Sequence, residues 1–218
     1  MKGVVNGSQR AGHWQFYYEN GPLKREGSFS EGQKVGLWKD YYEDGSVKVK
    51  ATYQSDTTKY QEFYTSGALK LEGSEVNGSR EGSWKHYYEN EKTQAIGSYQ
   101  RGKRQGVWKF YYPNGQLSSV GDFMDDSSVG KWTYYYENGN ISAEGAERDG
   151  VREGYWKLYH SNGDFKGEAV FNRGEGTYRE FYPDGSRKVE GKLTNGVREG
   201  KWQYFYEDGT LEGEAIFT

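Results

Sequence analysis

The chain has 218 residues and repeats one short motif nine times, which restricts its fold more than any other feature. The motif is a Gly, a Trp two positions later, a pair of Tyr and a turn, as in GHWQFYYENG from residue 12. Its starts are spaced by 24 or 22 residues, at positions 12, 36, 58, 82, 106, 130, 154, 176 and 200. Residues 1–11 read as the second half of an earlier repeat. We therefore expect a single repeat domain over residues 1–218, with nine repeats of about 24 residues after a half repeat at 1–11.

The composition indicates how such a repeat can be stable. Mean hydropathy is −1.09 and only 33% of residues are apolar, values that are typical of disordered chains. However, 17% of residues are aromatic, including 21 Tyr and 7 Trp. These side chains can bury a ring face while keeping a polar edge hydrated. A thin sheet with little aliphatic core is therefore expected.

Each repeat contains two short strands joined by Asn-Gly or Asp-Gly. This dipeptide between alternating runs predicts a hairpin with a two-residue type I′ turn, and no segment has the 3.6-residue period of a helix. The pairs expected in the first repeat are Tyr18–Leu23, Phe16–Arg25 and Trp14–Gly27 on one face, and Tyr17–Lys24 and Gln15–Glu26 on the other. Lys157–Glu168 and Arg179–Glu190 are the equivalent opposite-charge pairs in later repeats.

A large Trp thus faces a Gly or an Ala in nearly every repeat. We expect the indole to cover the bare backbone of the residue opposite, so that the aromatic row forms a structural core. The expected Trp members are Trp14, Trp38, Trp84, Trp108, Trp132, Trp156 and Trp202. The small residues facing this row are Gly27, Gly73, Gly97, Gly121, Gly145 and Gly191, with Ala51, Ala169 and Ala215 at equivalent positions. The repeats from 36 and 154 are each two residues short, and we expect the loss to fall in the return loops QSDTT and NRGE, which would then be the tightest turns and change the local curvature.

The pattern G-x-W-x-x-Y-Y-x-N-G-x-L-x-x-E-G-x-Y resembles the MORN repeat variant family over essentially the whole chain. With the hairpin pattern, this predicts an all-β, elongated, single-layer antiparallel β-hairpin repeat that is twisted or coiled and has no helices. The resemblance implies a bacterial repeat scaffold, since some members act as antitoxins or immunity proteins. It implies no catalytic residues, because the family has none to transfer.

Residues that could carry chemistry are few and scattered. His13, His86 and His160 lie in different repeats, so a shared metal site is not expected. Asp125-Asp126 fall in a return loop, where a solvated charged turn is the simpler interpretation. The chain contains no Cys, which excludes thiolate catalysis. We expect no enzyme activity, no cofactor and no metal.

One strand position varies while its neighbours in the motif stay nearly constant. Variation within a constant frame is where a repeat scaffold can hold its specificity, so this row is the predicted partner-binding surface. Its members are Phe16, Asp40, Glu62, His86, Phe110, Tyr134, Leu158, Glu180 and Tyr204. The expected function is protein binding, and the family resemblance implies a role as an antitoxin or immunity protein. The alternative is a carbohydrate or cell-envelope binding module that uses exposed aromatic rows.

Charge and sequence ends restrict the partners further. The net charge of −3 is spread without a basic stripe, so neither nucleic acid nor an anionic membrane is an expected partner. No apolar run is long enough for a transmembrane segment. No signal peptide is visible, which makes a soluble cytoplasmic protein the default expectation. Strand-like sequences lie at both ends, so end-to-end self-association is also expected.

Overall fold

A computed structural model describes residues 1–194 and 196–218. Two compact segments divide the chain, an N-terminal segment of residues 1–104 and a C-terminal segment of residues 105–218. Each is a meander in which successive strands pair antiparallel, and no helix occurs among the described residues. The predicted all-β hairpin fold is confirmed. Asn195, which the sequence pattern assigns to a return loop, lies outside the described residues.

The strands are numbered β1 to β19 in chain order. Those that begin in the N-terminal segment are β1 (Lys2–Asn6), β2 (Gln9–Tyr17), β3 (Leu23–Ser30), β4 (Gln33–Tyr41), β5 (Val47–Gln54), β6 (Thr57–Phe63), β7 (Leu69–Val76), β8 (Ser79–Tyr87), β9 (Thr93–Gln100) and β10 (Lys103–Tyr111), most of which lies in the C-terminal segment. Those that follow are β11 (Leu117–Met124), β12 (Ser127–Tyr135), β13 (Ile141–Arg148), β14 (Val151–Tyr159), β15 (Phe165–Asn172), β16 (Glu175–Phe181), β17 (Arg187–Thr194), β18 (Val197–Phe205) and β19 (Leu211–Phe217).

The predicted hairpin register is correct in the middle of the strands and wrong beside the turn. The expected pairs Trp14–Gly27, Phe16–Arg25 and Gln15–Glu26 are all found, as are Lys157–Glu168 and Arg179–Glu190. The expected pairs Tyr18–Leu23 and Tyr17–Lys24 are not, because Tyr17 faces Leu23 across a register shift.

The turn itself explains this shift. The Gly21 N–H donates to the Tyr18 carbonyl (3.1 Å), and the Tyr18 N–H donates to the Pro22 carbonyl (2.9 Å). Gly21 alone has a positive φ of 107°, whereas Asn20 does not. This is a three-residue loop, a type I turn followed by a left-handed Gly, in place of the predicted two-residue type I′ turn. The prediction was wrong because Asn-Gly suits both turns.

The type I′ signature occurs instead in the return loops that join one repeat to the next. Both central residues of these loops have φ between 50° and 83°. The pairs are Glu31-Gly32, Asn77-Gly78, Arg101-Gly102, Asp125-Asp126, Asp149-Gly150 and Arg173-Gly174. Asp125-Asp126 therefore form a tight, exposed turn, which fits the interpretation of this segment as a solvated charged loop.

The difference between 24-residue and 22-residue spacings comes from a bulge in the strand and not from the return loops. Between the paired positions Glu26–Lys39 and Ser28–Val35, a single residue of β3 faces three residues of β4. The extra pair is accommodated beside Gly36, whose φ is +63°. The β5–β6 and β15–β16 pairings have no such shift. The short repeats therefore lack the bulge, and the prediction that they lose loop residues is wrong.

The bulge creates room for the indole, which covers a different Gly from the predicted one. A Cβ on Gly27 would lie 2.1 Å from the ring of Trp38 on the following strand, and no contact with its register partner Trp14 is closer. Trp14 covers Gly3 in the same way. The further pairs of this kind are Gly73–Trp84, Gly121–Trp132, Gly145–Trp156 and Gly191–Trp202. Each of these Trp rings therefore reaches back and joins its repeat to the preceding one.

The two junctions without a bulge use a different pair of residues. Ala51 on β5 faces Tyr60 on β6, and Ala169 on β15 faces Tyr178 on β16. The smaller phenol ring leaves space for a methyl group that the indole excludes. A junction with a bulge therefore combines a Gly with a Trp, whereas a junction with regular pairing combines an Ala with a Tyr.

Candidate interaction surface

Each segment presents two chemically different faces. Strand alternation places Trp14, Phe16 and Arg25 on one side, which we call the tryptophan face. Gln15 and Glu26 lie on the other side, which we call the opposite face. The same alternation continues through the equivalent positions of later strands.

The tryptophan face is closed over its aromatic rings. All seven Trp side chains are 0–6% exposed. A basic side chain four residues earlier caps several of them, with its charged centre 4.3–5.0 Å from the ring centroid. These pairs are Arg10–Trp14, Lys34–Trp38, Arg80–Trp84, Arg152–Trp156 and Arg198–Trp202. With Gly beneath and a cation above, these indoles leave no open face on which a sugar could stack.

The variable residues identified from the sequence lie in the central row of the tryptophan face. All nine are half-buried. In the N-terminal segment the row reads Phe16, Arg25, Asp40, Val49, Glu62, Leu71, His86 and Ala95 across neighbouring strands. In the C-terminal segment it reads Phe110, Ser119, Tyr134, Ala143, Leu158, Gly167, Glu180, Val189, Tyr204 and Gly213.

Half of the row members in the N-terminal segment are polar or charged. Arg25 makes a two-pronged contact with Asp40, with both N···O distances at 2.5 Å. Lys70 donates to Glu62 at 2.8 Å. Burial lowers the pKa of His86, so its neutral form is favoured. The sequence could not reveal these neighbours, since each lies on a different strand.

The row is more aromatic in the C-terminal segment. Phe110 stacks between Trp108 and Trp132 at centroid distances of 6.0 and 6.3 Å. Tyr134 packs 5.9 Å from Trp132, and its hydroxyl donates to Glu147 at 2.5 Å. Burial, followed by this hydrogen bond, raises the pKa of Tyr134 well above its usual range.

The opposite face is organised by Tyr–Glu hydrogen bonds between adjacent strands. The hydroxyl of Tyr41 donates to Glu26 at 2.6 Å, and that of Tyr87 donates to Glu72 at 2.7 Å. Burial and this bond raise the pKa of Tyr41 to about 12, and the hydroxyl lowers the pKa of Glu26. Tyr159 donates to Glu144 in the same manner.

A second Tyr of the motif links most repeats forward to the next one. The Tyr18 hydroxyl donates to the carbonyl of Tyr41, 23 residues later, at 2.7 Å. Tyr42, Tyr64, Tyr112, Tyr136 and Tyr182 make equivalent bonds of 2.6–2.8 Å to the first strand of the following repeat. Sequence reasoning missed this role, although the Tyr-Tyr pair is its visible signal.

The candidate metal-binding residues do not come together. His13 lies on the opposite face, 3.6 Å from Glu26, whereas His86 lies on the tryptophan face. His160 follows β14 at the start of a turn. The described residues contain no group of three His, Cys, Asp or Glu side chains that could hold a metal ion. The same part of the chain contains no helix long and apolar enough to cross a membrane.

Comparisons with solved structures add little. The chain is similar to part of the TcdB2-TccC3-TEV crystal structure, with 11% identity, 88% of this chain and 13% of that chain covered, and a TM-score of 0.25. The Tc holotoxin pore of Photorhabdus luminescens matches at 10% identity over 95% of this chain and 16% of that chain, with a TM-score of 0.18. The chain thus spans a small part of these proteins, and the scores are too low to support an argument. No curated protein sequence matches it.

The family comparison is decisive. The model of the MORN repeat variant matches residues 10–31, 34–55, 80–101, 104–125, 128–145, 174–195 and 198–218. These ranges cover well over half of the chain and coincide with seven of the nine repeats. The unmatched repeat from 58 has Thr58 and Tyr60 in place of the Gly and Trp, and the unmatched repeat from 154 has His160 in place of the linking Tyr. The chain therefore belongs to the MORN repeat variant family.

Proposed function

We propose that this protein is a non-enzymatic scaffold that binds a protein partner through the half-buried row on the tryptophan face. MORN repeats are commonly protein-interaction scaffolds. The observation that carries the proposal is the contrast within each strand. The Trp positions repeat a nearly constant structure, while the adjacent row changes from Asp40 and Glu62 to Phe110 and Tyr134. Curved or extended repeat surfaces bind macromolecules through such variable positions.

The finer proposal is that the partner is a toxin which this chain neutralises. It rests on the antitoxin and immunity proteins that the MORN variant repeats resemble. The product of a neighbouring toxin-like gene is the partner to test first. Its toxicity on expression should be suppressed by co-expression of this chain, and the two proteins should co-purify.

Strand β6 provides a matched pair of variants for this test. Glu62 belongs to the row, whereas Lys59 lies three residues earlier and points to the opposite face. We expect Glu62→Lys to weaken binding at least tenfold in titration calorimetry, because it reverses a charge at the proposed interface. Lys59→Glu should leave affinity unchanged. The opposite pattern, with Lys59 sensitive and Glu62 insensitive, would refute the proposed surface.

We also propose that copies of this chain associate through strand edges. Within the described residues, β1 pairs only with β2, and β19 pairs only with β18. Unpaired strand edges recruit other strands unless charge or Pro protects them. Sedimentation velocity should show mass rising with concentration, and Val4→Lys or Ile216→Lys should suppress the rise. A constant monomer mass for all three proteins would contradict this.

A further inference from the structure

A pocket with a volume of about 790 Å³ lies on the opposite face of the C-terminal segment. Strands β14, β15 and β16 contribute Tyr155, Phe165, Glu168 and Phe181 to its lining. The β14–β15 turn contributes His160 and Asp164, and the β16–β17 turn contributes Tyr182, Pro183 and Gly185. We call this site the β15–β16 pocket.

The pocket forms where the repeat pattern is broken twice. His160 occupies the position at which Tyr136 and Tyr182 donate a hydroxyl to the following repeat. Among the described residues, His160 makes no equivalent bond to Phe181, and both side chains line the pocket. The β15–β16 pairing also lacks the bulge found at most junctions. A hollow therefore replaces the usual tyrosine link.

Aromatic rings are unusually open at this site. Phe165 is 47% exposed and Tyr155 is 48% exposed, in contrast to the buried Trp rings. Phe165 stacks on Phe181 with centroids 6.0 Å apart and an interplanar angle of 21°. Tyr159 meets Phe165 edge-on at 6.2 Å. The rings are thus held in place by one another while their outer surfaces face solvent.

The equivalent junction in the N-terminal segment shows what this arrangement lacks. There, Lys50 on β5 places its Nζ 4.9 Å from the ring centroid of Phe63 on β6. By register, Glu168 corresponds to Lys50 and Phe181 corresponds to Phe63. The cation that covers the ring at one junction is therefore replaced by a carboxylate at the other. No Lys or Arg of the described chain lies over Phe165 or Phe181.

The charges around the pocket favour a cation from outside. The Tyr155 hydroxyl donates to Glu168 at 2.6 Å and fixes its orientation. Arg179 makes its close contact with Glu190 at 2.9 Å and stands 3.8 Å from Glu168. Asp164 adds a second carboxylate at the rim. The C-terminal segment has 13 Lys and Arg against 19 Asp and Glu, a net charge of −6.

We propose that the β15–β16 pocket binds the guanidinium or ammonium group of an Arg or Lys side chain from the protein partner. The cation would lie against the Phe165 and Phe181 rings and donate hydrogen bonds to Glu168. Cation–π contact and a charge-assisted bond to a carboxylate reinforce each other at a partly desolvated site. This inference rests on the proposed scaffold function and adds a second contact, so the partner would have to reach the opposite face of the C-terminal segment as well as the row on the tryptophan face.

The test uses the full chain and short peptides, so that it does not depend on knowing the partner. A Gly-Arg-Gly peptide, the same peptide with citrulline, and tetramethylammonium chloride are titrated while the aromatic NMR signals of Phe165 and Phe181 are followed. We expect saturable shifts with the Arg peptide and at least tenfold weaker binding of the neutral citrulline peptide. Tetramethylammonium, which has no N–H donor for Glu168, should bind at least fivefold more weakly than the Arg peptide.

Conservative variants separate the pocket from the fold. Glu168→Gln should weaken the Arg peptide at least tenfold, whereas Glu72→Gln, at the equivalent position on β7, should not change its affinity. Phe181→Leu should weaken it, and Phe63→Leu should not. Equal binding of Arg and citrulline peptides, or an unchanged Glu168→Gln, would overturn the proposal. Tighter binding of tetramethylammonium would assign the pocket to a free quaternary ammonium instead.

The pocket proposal and the scaffold proposal can be rejected independently of each other. Toxin binding that is sensitive to Glu62→Lys but unchanged by Glu168→Gln would retain the scaffold and reject the pocket as an anchor. Arg peptide binding that requires Glu168, in a chain that binds no toxin, would retain the pocket and reject the toxin assignment.

Discussion

The substitution Gly73→Ala tests the contact that joins one repeat to the preceding one. A Cβ at position 73 would lie 2.2 Å from Cδ2 of Trp84, far inside van der Waals contact. The Trp84 indole is fully buried and donates its N–H to the Ser74 carbonyl at 3.1 Å. The ring therefore cannot retreat without losing that hydrogen bond. Overpacking costs roughly 1–3 kcal/mol and the lost bond about 1 kcal/mol, so a total loss of about 2–4 kcal/mol is expected.

Two companion variants isolate the cause. Ala51→Gly removes the methyl group at the equivalent position of a junction that uses Tyr60, and it should cost only about 0.5–1 kcal/mol through backbone entropy. The double variant Gly73→Ala with Trp84→Tyr copies the natural Ala51–Tyr60 pair. Its loss should be smaller than the sum of the two single losses, by roughly 0.5–3 kcal/mol.

Urea unfolding, followed by both Trp fluorescence and far-ultraviolet circular dichroism, gives the free energies of these three variants and of the single variant Trp84→Tyr, which the additivity test also needs. A loss below about 0.5 kcal/mol for Gly73→Ala would show that the indole does not need the bare backbone. Strict additivity in the double variant would show that ring size and methyl group are independent. Either result would refute the steric reasoning.

Three further outcomes are expected. Trp156→Ala should cost roughly 3–5 kcal/mol in urea unfolding, because the side chain is fully buried; a loss under about 1 kcal/mol would contradict its place in the core. Burial, together with the bond to Glu72, raises the pKa of Tyr87 to about 12 from its unfolded value near 10, so this contribution to stability is complete below pH 10 and disappears by about pH 12. Tyr87→Phe should flatten that part of the pH dependence of unfolding, and an unchanged slope would argue against it. Tyr136→Phe removes a hydroxyl that donates to the next repeat and should lower the free energy of unfolding by about 0.5–1.5 kcal/mol. The same change at the exposed Tyr206 should alter it by no more than about 0.5 kcal/mol. Equal losses for the two variants would show that the Tyr136 hydrogen bond does not stabilise the boundary between repeats.

Sequence reasoning succeeded where a single local rule applied. Strand alternation and the spacing from Trp14 to Gly27 were enough to fix the central register. The same rule could not choose the turn, because a left-handed Gly21 is compatible with two- and three-residue loops. It also could not show which neighbouring strand an indole would cover. A strand has a neighbour on each side, and cross-strand position alone does not say which way a side chain leans.

Other features were legible in the sequence but require comparison between repeats. Ala51 is followed by Tyr60 and Ala169 by Tyr178, both at the short spacing, which signals the junction without a bulge. The β15–β16 pocket was not predictable in this way. It depends on how far a His reaches compared with a Tyr, and on rings contributed by three strands.

The opposite reach of Trp and Tyr has a consequence for how such a chain can change length. Trp38 extends back over Gly27 and Tyr18 extends forward to Tyr41, so every ordinary boundary carries the same two connections. Recombination that removes or inserts one whole period between ordinary boundaries would leave both connections matched on the two sides of the new joint. A crossover beside Ala51 would instead join a methyl group to an incoming indole. Recombination events that preserve the fold should therefore transfer the Ala of one repeat together with the Tyr of the following repeat.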